Sequence, residues 1–341
     1  MARTTSDGAA GSARSDGPIY IAGLDRSGKT TPRAYLTSHP DIDIPAVGSN
    51  METYFYGRYG NLAKQANLDR CLEDMLRYKH IVFLDPDEDR IRSEFAAGPP
   101  TYPHLFSLFL RHHAEKAGKR RWGAQTGLAE EYADVLFASY PGLKVIHMVR
   151  DPRDRYQASR AKWPNGKGGA GGAAARWALS TGLARRNLRR YPDDYLVVRF
   201  EDLIRSTHQT LAEVFDFLGE DLTPEALEMK DAPKHRFELL AGRAPNEPLL
   251  STAFIGLHRE LPPRELSYLE LVLAGGMRRH GYERTAAPPR RPGFWLGTVP
   301  DQMARQLAWR ATEAAHLAQP RLFPRTPGAR MIVPRHRSET A

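Results

Sequence analysis

The stretch Pro18-Ile19-Tyr20-Ile21-Ala22-Gly23-Leu24-Asp25-Arg26-Ser27-Gly28-Lys29-Thr30-Thr31 decides how this chain folds. Its apolar run, residues 19–22, reads as a strand. A turn of small residues and cations follows, and the spacing predicts a helix over residues 31–38. Pro32 falls in the first helical turn, which proline tolerates. A strand–turn–helix of this kind points backbone N–H groups at one spot and makes an anion cradle. Arg26 and Lys29 add full positive charge, and Ser27, Thr30 and Thr31 add hydroxyl donors. The turn therefore predicts a bound phosphate or sulfate.

Working outward, the run Leu143-Lys144-Val145-Ile146-His147-Met148-Val149 is apolar enough for a central parallel strand. A helix follows over residues 151–162, with Asp151 able to cap it and Pro152 at its first position. A further strand is expected over 195–199, with a short one at 121–126. Helices are expected over 68–119 (for the most part), 129–140, 173–190, 207–218, 224–229 and 263–279. The glycine-rich stretch 165–172 reads as a flexible loop. This alternation predicts an α/β fold: a single P-loop-like domain with a central parallel sheet flanked by helices. The domain should span residues 18–285. Residues 1–17 read as a disordered leader, and 286–341 as a basic Pro/Arg-rich extension with a short helix over 300–319.

Composition narrows the function. With 41% hydrophobic and 26% charged residues, the chain has the make-up of a soluble globular protein. It holds no apolar run of membrane-spanning length, and its leader lacks the apolar stretch of a secretory signal. A single cysteine, Cys71, allows neither an internal disulfide nor a cysteine zinc site, so a reducing cytoplasm is expected. Of the net charge of +9, residues 288–341 carry +6, from nine arginines and three acids. The basic balance thus belongs to the tail and argues against a nucleic-acid face on the domain. The tail reads as a solvated segment, with peripheral contact to anionic lipid or another acidic partner as the alternative.

Read literally, Gly23 to Thr30 matches the P-loop pattern G-x-x-x-x-G-K-[ST]. Arg26-Ser27-Gly28-x-Thr30 also resembles the (K/R)-S-G-T-T loop of sulfotransferases that use 3′-phosphoadenosine-5′-phosphosulfate (PAPS). Two further resemblances to that superfamily follow in order. Arg150-Asp151-Pro152-Arg153-Asp154, directly after the second long strand, is similar to its R-(D/N)-P-(R/K)-(D/A) motif. Tyr195–Leu203, followed by Phe217-Leu218-Gly219, is similar to its Y-x-x-V-R-Y-E-D-L … F-L-G block. The resemblance covers residues 18–282 and implies PAPS as co-substrate, no metal, and a small-molecule, carbohydrate or lipid acceptor. It implies that Arg150 grips the 3′-phosphate and that the loop of Arg26, Ser27, Gly28, Lys29, Thr30 and Thr31 holds the 5′-phosphate side, with Arg26 and Lys29 as catalytic cations that neutralise the bridging and leaving oxygens. The tail lies beyond it, so its removal is expected to leave the fold intact.

This sequence departs from the family pattern at two places. The serine usual eight residues after the Arg150-type arginine is displaced by one, with Ala158 in its place and Ser159 next. The lysine of a W-G-x-K-T-P-like segment is Gln125, and Lys29, where threonine is usual, would return the lost charge. For the base that takes the acceptor proton, Glu52 is the candidate: related enzymes place a glutamate shortly after the first helix, and Glu52 is the only acid between Asp43 and Asp69. His104, His112 and His113 are alternatives. Two other readings stay open. In an Mg-ATP-dependent P-loop kinase, the run Ile81-Val82-Phe83-Leu84-Asp85 would be a metal-holding strand end. A non-catalytic nucleotide-binding protein would sit at an acidic surface through its tail.

Overall fold

The computed structural model of the chain describes residues 17–163, 168–229, 250–285 and 289–334. Of the leader expected over residues 1–17, residues 1–16 lie outside the described residues, and Gly17 is buried, its carbonyl accepting from Arg121 Nε at 2.7 Å. Five parallel strands form one sheet: β1 (Ile19–Ala22), β2 (Ile42–Asp43), β3 (Arg121–Gln125), β4 (Lys144–Val149) and β5 (Tyr195–Arg199), in the order β2-β3-β1-β4-β5. In the register, Ile21 pairs with Ile146 of β4 and with Gln125 of β3. β1 is buried throughout, which is why its sequence is uninterrupted by charge. Its side chains alternate between faces. Ile19 and Ile21 join a core with Ile42, Ile146 and Phe215, whereas Tyr20 and Ala22 join one with Phe55, Phe106 and Tyr140.

The helices cover both faces. Those used below are α1 (Thr30–Thr37), α2 (Met51–Phe55), α3 (Tyr102–Lys116), α4 (Pro152–Lys162), α5 (Gly169–Arg190), α6 (Thr207–Leu218), α7 (Pro263–Val272) and α8 (Val299–Ala318). Asp151 caps α4 by accepting from the Arg153 N–H at 2.9 Å. Gly219, at φ +68°, ends α6 in the left-handed conformation that favours glycine. The expected 263–279 helix is broken at Leu273 into Pro263–Val272 and Ala274–Arg279.

Three expectations need correction. The run 81–85 is no strand: it holds the end of the short helix Lys79–Val82 and a turn, and Asp85 pairs with Lys116 at the surface. Apolar residues there fill one side of a helix–turn, with Ile81 and Leu84 buried. The glycine-rich stretch is helical from Gly169 onward, although 164–167 lie outside the described residues. Its glycines admit another backbone: a Cβ on Gly171 would stand 1.9 Å from the carbonyl oxygen of Gln302 in α8. Finally, the described part of the extension, residues 289–334, packs against the domain. Phe294 is buried in the core with Trp177 and Tyr268, α8 lies along α5, and Ile332 bridges to Tyr78. No helix among the described residues is long and apolar enough to cross a membrane.

Candidate active site

The loops after β1 and β4 leave neighbouring strands in opposite directions across the sheet, and open α/β folds bind ligands at such a point. The loop after β1 is tightly wound. Gly23, Arg26 and Gly28 all have positive φ (+106°, +68° and +87°). Two of these positions require glycine on contact grounds as well. A Cβ on Gly23 would stand 2.4 Å from the Met148 carbonyl oxygen, and one on Gly28 would stand 2.1 Å from the Phe200 ring. Ser27 N–H closes a turn onto the Leu24 carbonyl (3.2 Å), and Thr31 N–H onto that of Gly28 (3.1 Å). The amides of Gly28 and Thr30 donate to no acceptor among the described residues. Ser27 and Thr31 are buried, and Thr30 is half-buried.

Lys29 precedes α1, and its side chain turns under the loop. Its ammonium donates to the Gly23 carbonyl at 2.6 Å and to that of Thr126 at 3.1 Å. Lys29 thereby ties the β1 loop to the end of β3, one residue from Gln125. Beneath Gly23 lies a buried polar chain. The Gly23 N–H donates to Glu130 Oε2 at 3.2 Å, and Ser180 Oγ donates to the other oxygen of Glu130. His147 follows, with Nε2 3.3 Å from Ser180 and Nδ1 2.8 Å from Tyr195 Oη. Burial pushes the His147 imidazole below its usual range.

Arg150 leaves the end of β4 and reaches back over the loop. One guanidinium nitrogen donates to the Arg26 carbonyl at 3.0 Å and another to the Phe254 carbonyl at 2.5 Å, and the group stacks on Phe200 with 4.7 Å to its ring centre. Its Nε is buried and finds no acceptor among the described residues. Burial lowers its affinity for the proton, and Asp154, Glu201 and Asp151 raise it. The next residues of the motif brace it. Glu201 accepts from the Asp151 N–H (2.9 Å) and from Tyr282 Oη (2.8 Å). Asp154 accepts from Gly256 N–H, His258 N–H and His258 Nδ1 at 2.6–2.8 Å, which places Phe254 over Arg150. On α4, Ala158 is buried and Ser159 is half-buried.

The segment before α2 returns to the same place. Ser49 N–H donates to the Gln125 carbonyl, Gly127 N–H to Asn50 Oδ1, and Thr53 Oγ1 to the Gly127 carbonyl. Glu52 is 2% exposed and accepts from Tyr20 Oη at 2.9 Å, while its Oε2 has no partner among the described residues. Burial raises its pKa, and its hydrogen bonds oppose the rise without cancelling it. The three histidines are elsewhere. His112 pairs with Glu94, His113 with Asp43, and His104 stacks on Phe95. Because α3 runs into the start of β3, His112 and His113 sit at the sheet edge opposite the loop.

A profile described as Sulfotransferase family matches residues 18–224. The chain belongs to the sulfotransferase family. Its fold is similar to the sulfotransferase domain of the olefin synthase of Synechococcus PCC 7002 (19% identity, TM-score 0.53, 78% of this chain and 94% of that one). It is also similar to the sulfotransferase domain of the curacin biosynthetic pathway (16% identity, TM-score 0.51, 80% and 99%). No curated protein matches the sequence. The chain is thus a sulfotransferase enzyme with a mixed α/β fold. The sequence reading did not single out Glu130, Phe200, Glu201 or Phe254. Glu201 stands inside the quoted E-D-L block, but nothing local to the sequence shows that it receives the Asp151 amide. Phe254 lies about a hundred residues from Arg150, beyond any spacing rule.

Proposed function

We propose that the β1 loop and Arg150 bind PAPS, and that the enzyme transfers its sulfuryl group to a hydroxyl of a small-molecule, carbohydrate or lipid acceptor. The observation that carries this reading is a cradle of loop amides facing a buried arginine across the diverging ends of β1 and β4. The fit is supported by the amides of Gly28 and Thr30, by the absence of room for a Cβ on Gly28, and by the unused Nε of Arg150. Loop amides with Ser27, Thr30 and Thr31 hold the 5′-phosphate, and Arg26 neutralises charge that grows on the oxygen being released. Lys29 serves from beneath, keeping the loop in shape and its charge close. Arg150 exchanges a carbonyl partner for the 3′-phosphate, a charged bond that is the stronger of the two. Ser159 lies about two turns into α4 and is a second contact for that phosphate.

In the transfer, the acceptor oxygen forms a bond to sulfur as the bond from sulfur to the 5′-phosphate oxygen breaks. The acceptor proton passes to Glu52, through the oxygen that Tyr20 leaves unoccupied, and adenosine 3′,5′-bisphosphate leaves. The test is mass-spectrometric detection of sulfated product from PAPS and a panel of hydroxyl acceptors, with a chelator present. Turnover that persists without divalent metal is expected. Phosphorylated product from ATP, appearing only with magnesium, would overturn the reading in favour of a kinase.

A further inference from the structure

Helix α8 is inside out. The side chains it turns toward the domain are polar. Gln302 accepts from the Gly171 N–H (2.8 Å), Gln306 accepts from Tyr268 Oη (2.9 Å), Trp309 lies against the Arg176 guanidinium (5.4 Å), and Glu313 is buried on Arg325. Its outer face is apolar. At 100° per residue, Met303, Leu307 and Ala314 fall on one stripe, with Leu317 and the exposed Arg310 beside it, and Leu296 lies just ahead of the helix in the π-helical turn Phe294–Thr298. Leu296 is 81% exposed, Leu307 62% and Leu322, just past the helix, 71%; Trp295, Met303 and Phe323 are about half exposed. Such a face on a helix already anchored from behind is an interaction surface.

The charges around it select the partner. Arg290, Arg291, Arg310, Arg321 and Arg330 are all exposed, whereas the two acids of this segment are spoken for: Asp301 pairs with Arg305 and Glu313 with Arg325. Beside Leu322, a cavity of about 490 Å³ is lined by Arg58, Lys64, Arg70 and Arg321, together with Tyr59, Asn61 and Asn67; Asp74 behind it pairs with Arg58 and Tyr59, at 3.5 and 2.6 Å, and does not line it. Gly60 makes room for this arrangement, since a Cβ there would stand 2.3 Å from the Arg321 guanidinium. A second copy docking symmetrically would bring these arginines against one another. Anionic headgroups beside an acyl boundary match both the apolar stripe and its basic rim.

We propose that residues 290–330 form a membrane-docking face, with the apolar stripe of α8 in the interface of an anionic bilayer and a lipid phosphate in the cavity of Arg58, Lys64, Arg70 and Arg321. None of the exposed side chains of this face belongs to the β1 loop or to Arg150, so the proposal stands whatever the sulfuryl donor is. The test is co-sedimentation of the full chain with phosphatidylcholine vesicles, alone or with about one-third phosphatidylserine. Binding to the anionic vesicles, weakened by salt and at least tenfold weaker to phosphatidylcholine alone, is expected. Leu296→Asp with Leu307→Asp should abolish it, and Lys64→Ala with Arg70→Ala should weaken it about tenfold or more. These side chains are exposed, so thermal melts and nucleotide binding should not change. Failure to sediment with anionic vesicles would overturn the proposal, as would unaltered binding by the leucine variant. So would a concentration-dependent dimer, seen without lipid, that Leu307→Asp dissociates.

Discussion

At Gly28 one added methyl group would meet both a ring and a backbone conformation that excludes it. The overlap with Phe200 and the φ of +87° act together. Gly28→Ala is expected to cost roughly 1–3 kcal/mol from the backbone term alone, and to weaken nucleotide binding as the loop shifts. Thermal melts of Gly28→Ala with and without Phe200→Ala separate the two effects: the second change should return only the steric share. At Glu52 the expectation concerns protons. Its pKa is raised by burial, and a base works only when deprotonated, so kcat/KM should rise with pH through a value above the ordinary carboxylate range. Glu52→Gln should remove that limb and lower kcat by about 10²–10⁴-fold. An active Glu52→Gln enzyme with an unaltered pH profile would take Glu52 out of the reaction. The loop residues were legible because adjacent letters make the cradle. The burial of Glu52 against Tyr20 was not, since it depends on how α2 meets β1 across 32 residues.

Two elements carry most of what the sequence hid. The glycines at 168–172 have the composition of a loop, and the arrival of α8 explains why the helix needs one at 171. The arginine-rich extension has the composition of a solvated tail, yet its anchors are single side chains that propensity does not reveal. Arg325 is the central one, bonded to Tyr132 Oη (3.0 Å), to Glu131 (2.8 Å) and to Glu313. Truncation after Arg290, harmless if the segment were a tail, should instead lower Tm and loosen cooperativity by uncovering Phe294's site and the glycine face of α5. Retention of the full-length melt would show that the strap adds nothing to the fold. Burial raises Glu131 from 4.5 to about 7, against the pull of Arg325. The folded state then holds a proton that the unfolded state has released, so stability should fall as pH rises between those two values. Glu131→Gln should flatten that part of the Tm–pH curve; an unchanged slope would place its cause elsewhere.

Across the whole molecule, strand signals and the two motifs after β1 and β4 were enough to read the sheet, because a parallel sheet writes long apolar runs and puts its ligand site at their ends. What surrounds that site comes from afar: the loop of Phe254 above Arg150, the segment of Asn50 beside Gly127, and the strap over Tyr132. The central claim is that the β1 loop and Arg150 together recognise a nucleotide carrying a 3′-phosphate. Calorimetric titration of adenosine 3′,5′-bisphosphate and of adenosine 5′-monophosphate into the full chain and its Arg150→Ala variant, without magnesium, tests it most directly. The bisphosphate should bind the wild type more tightly, and Arg150→Ala should lose at least about tenfold of that affinity while the monophosphate is little affected. Equal losses for both nucleotides, or no preference for the bisphosphate in the wild type, would contradict the account.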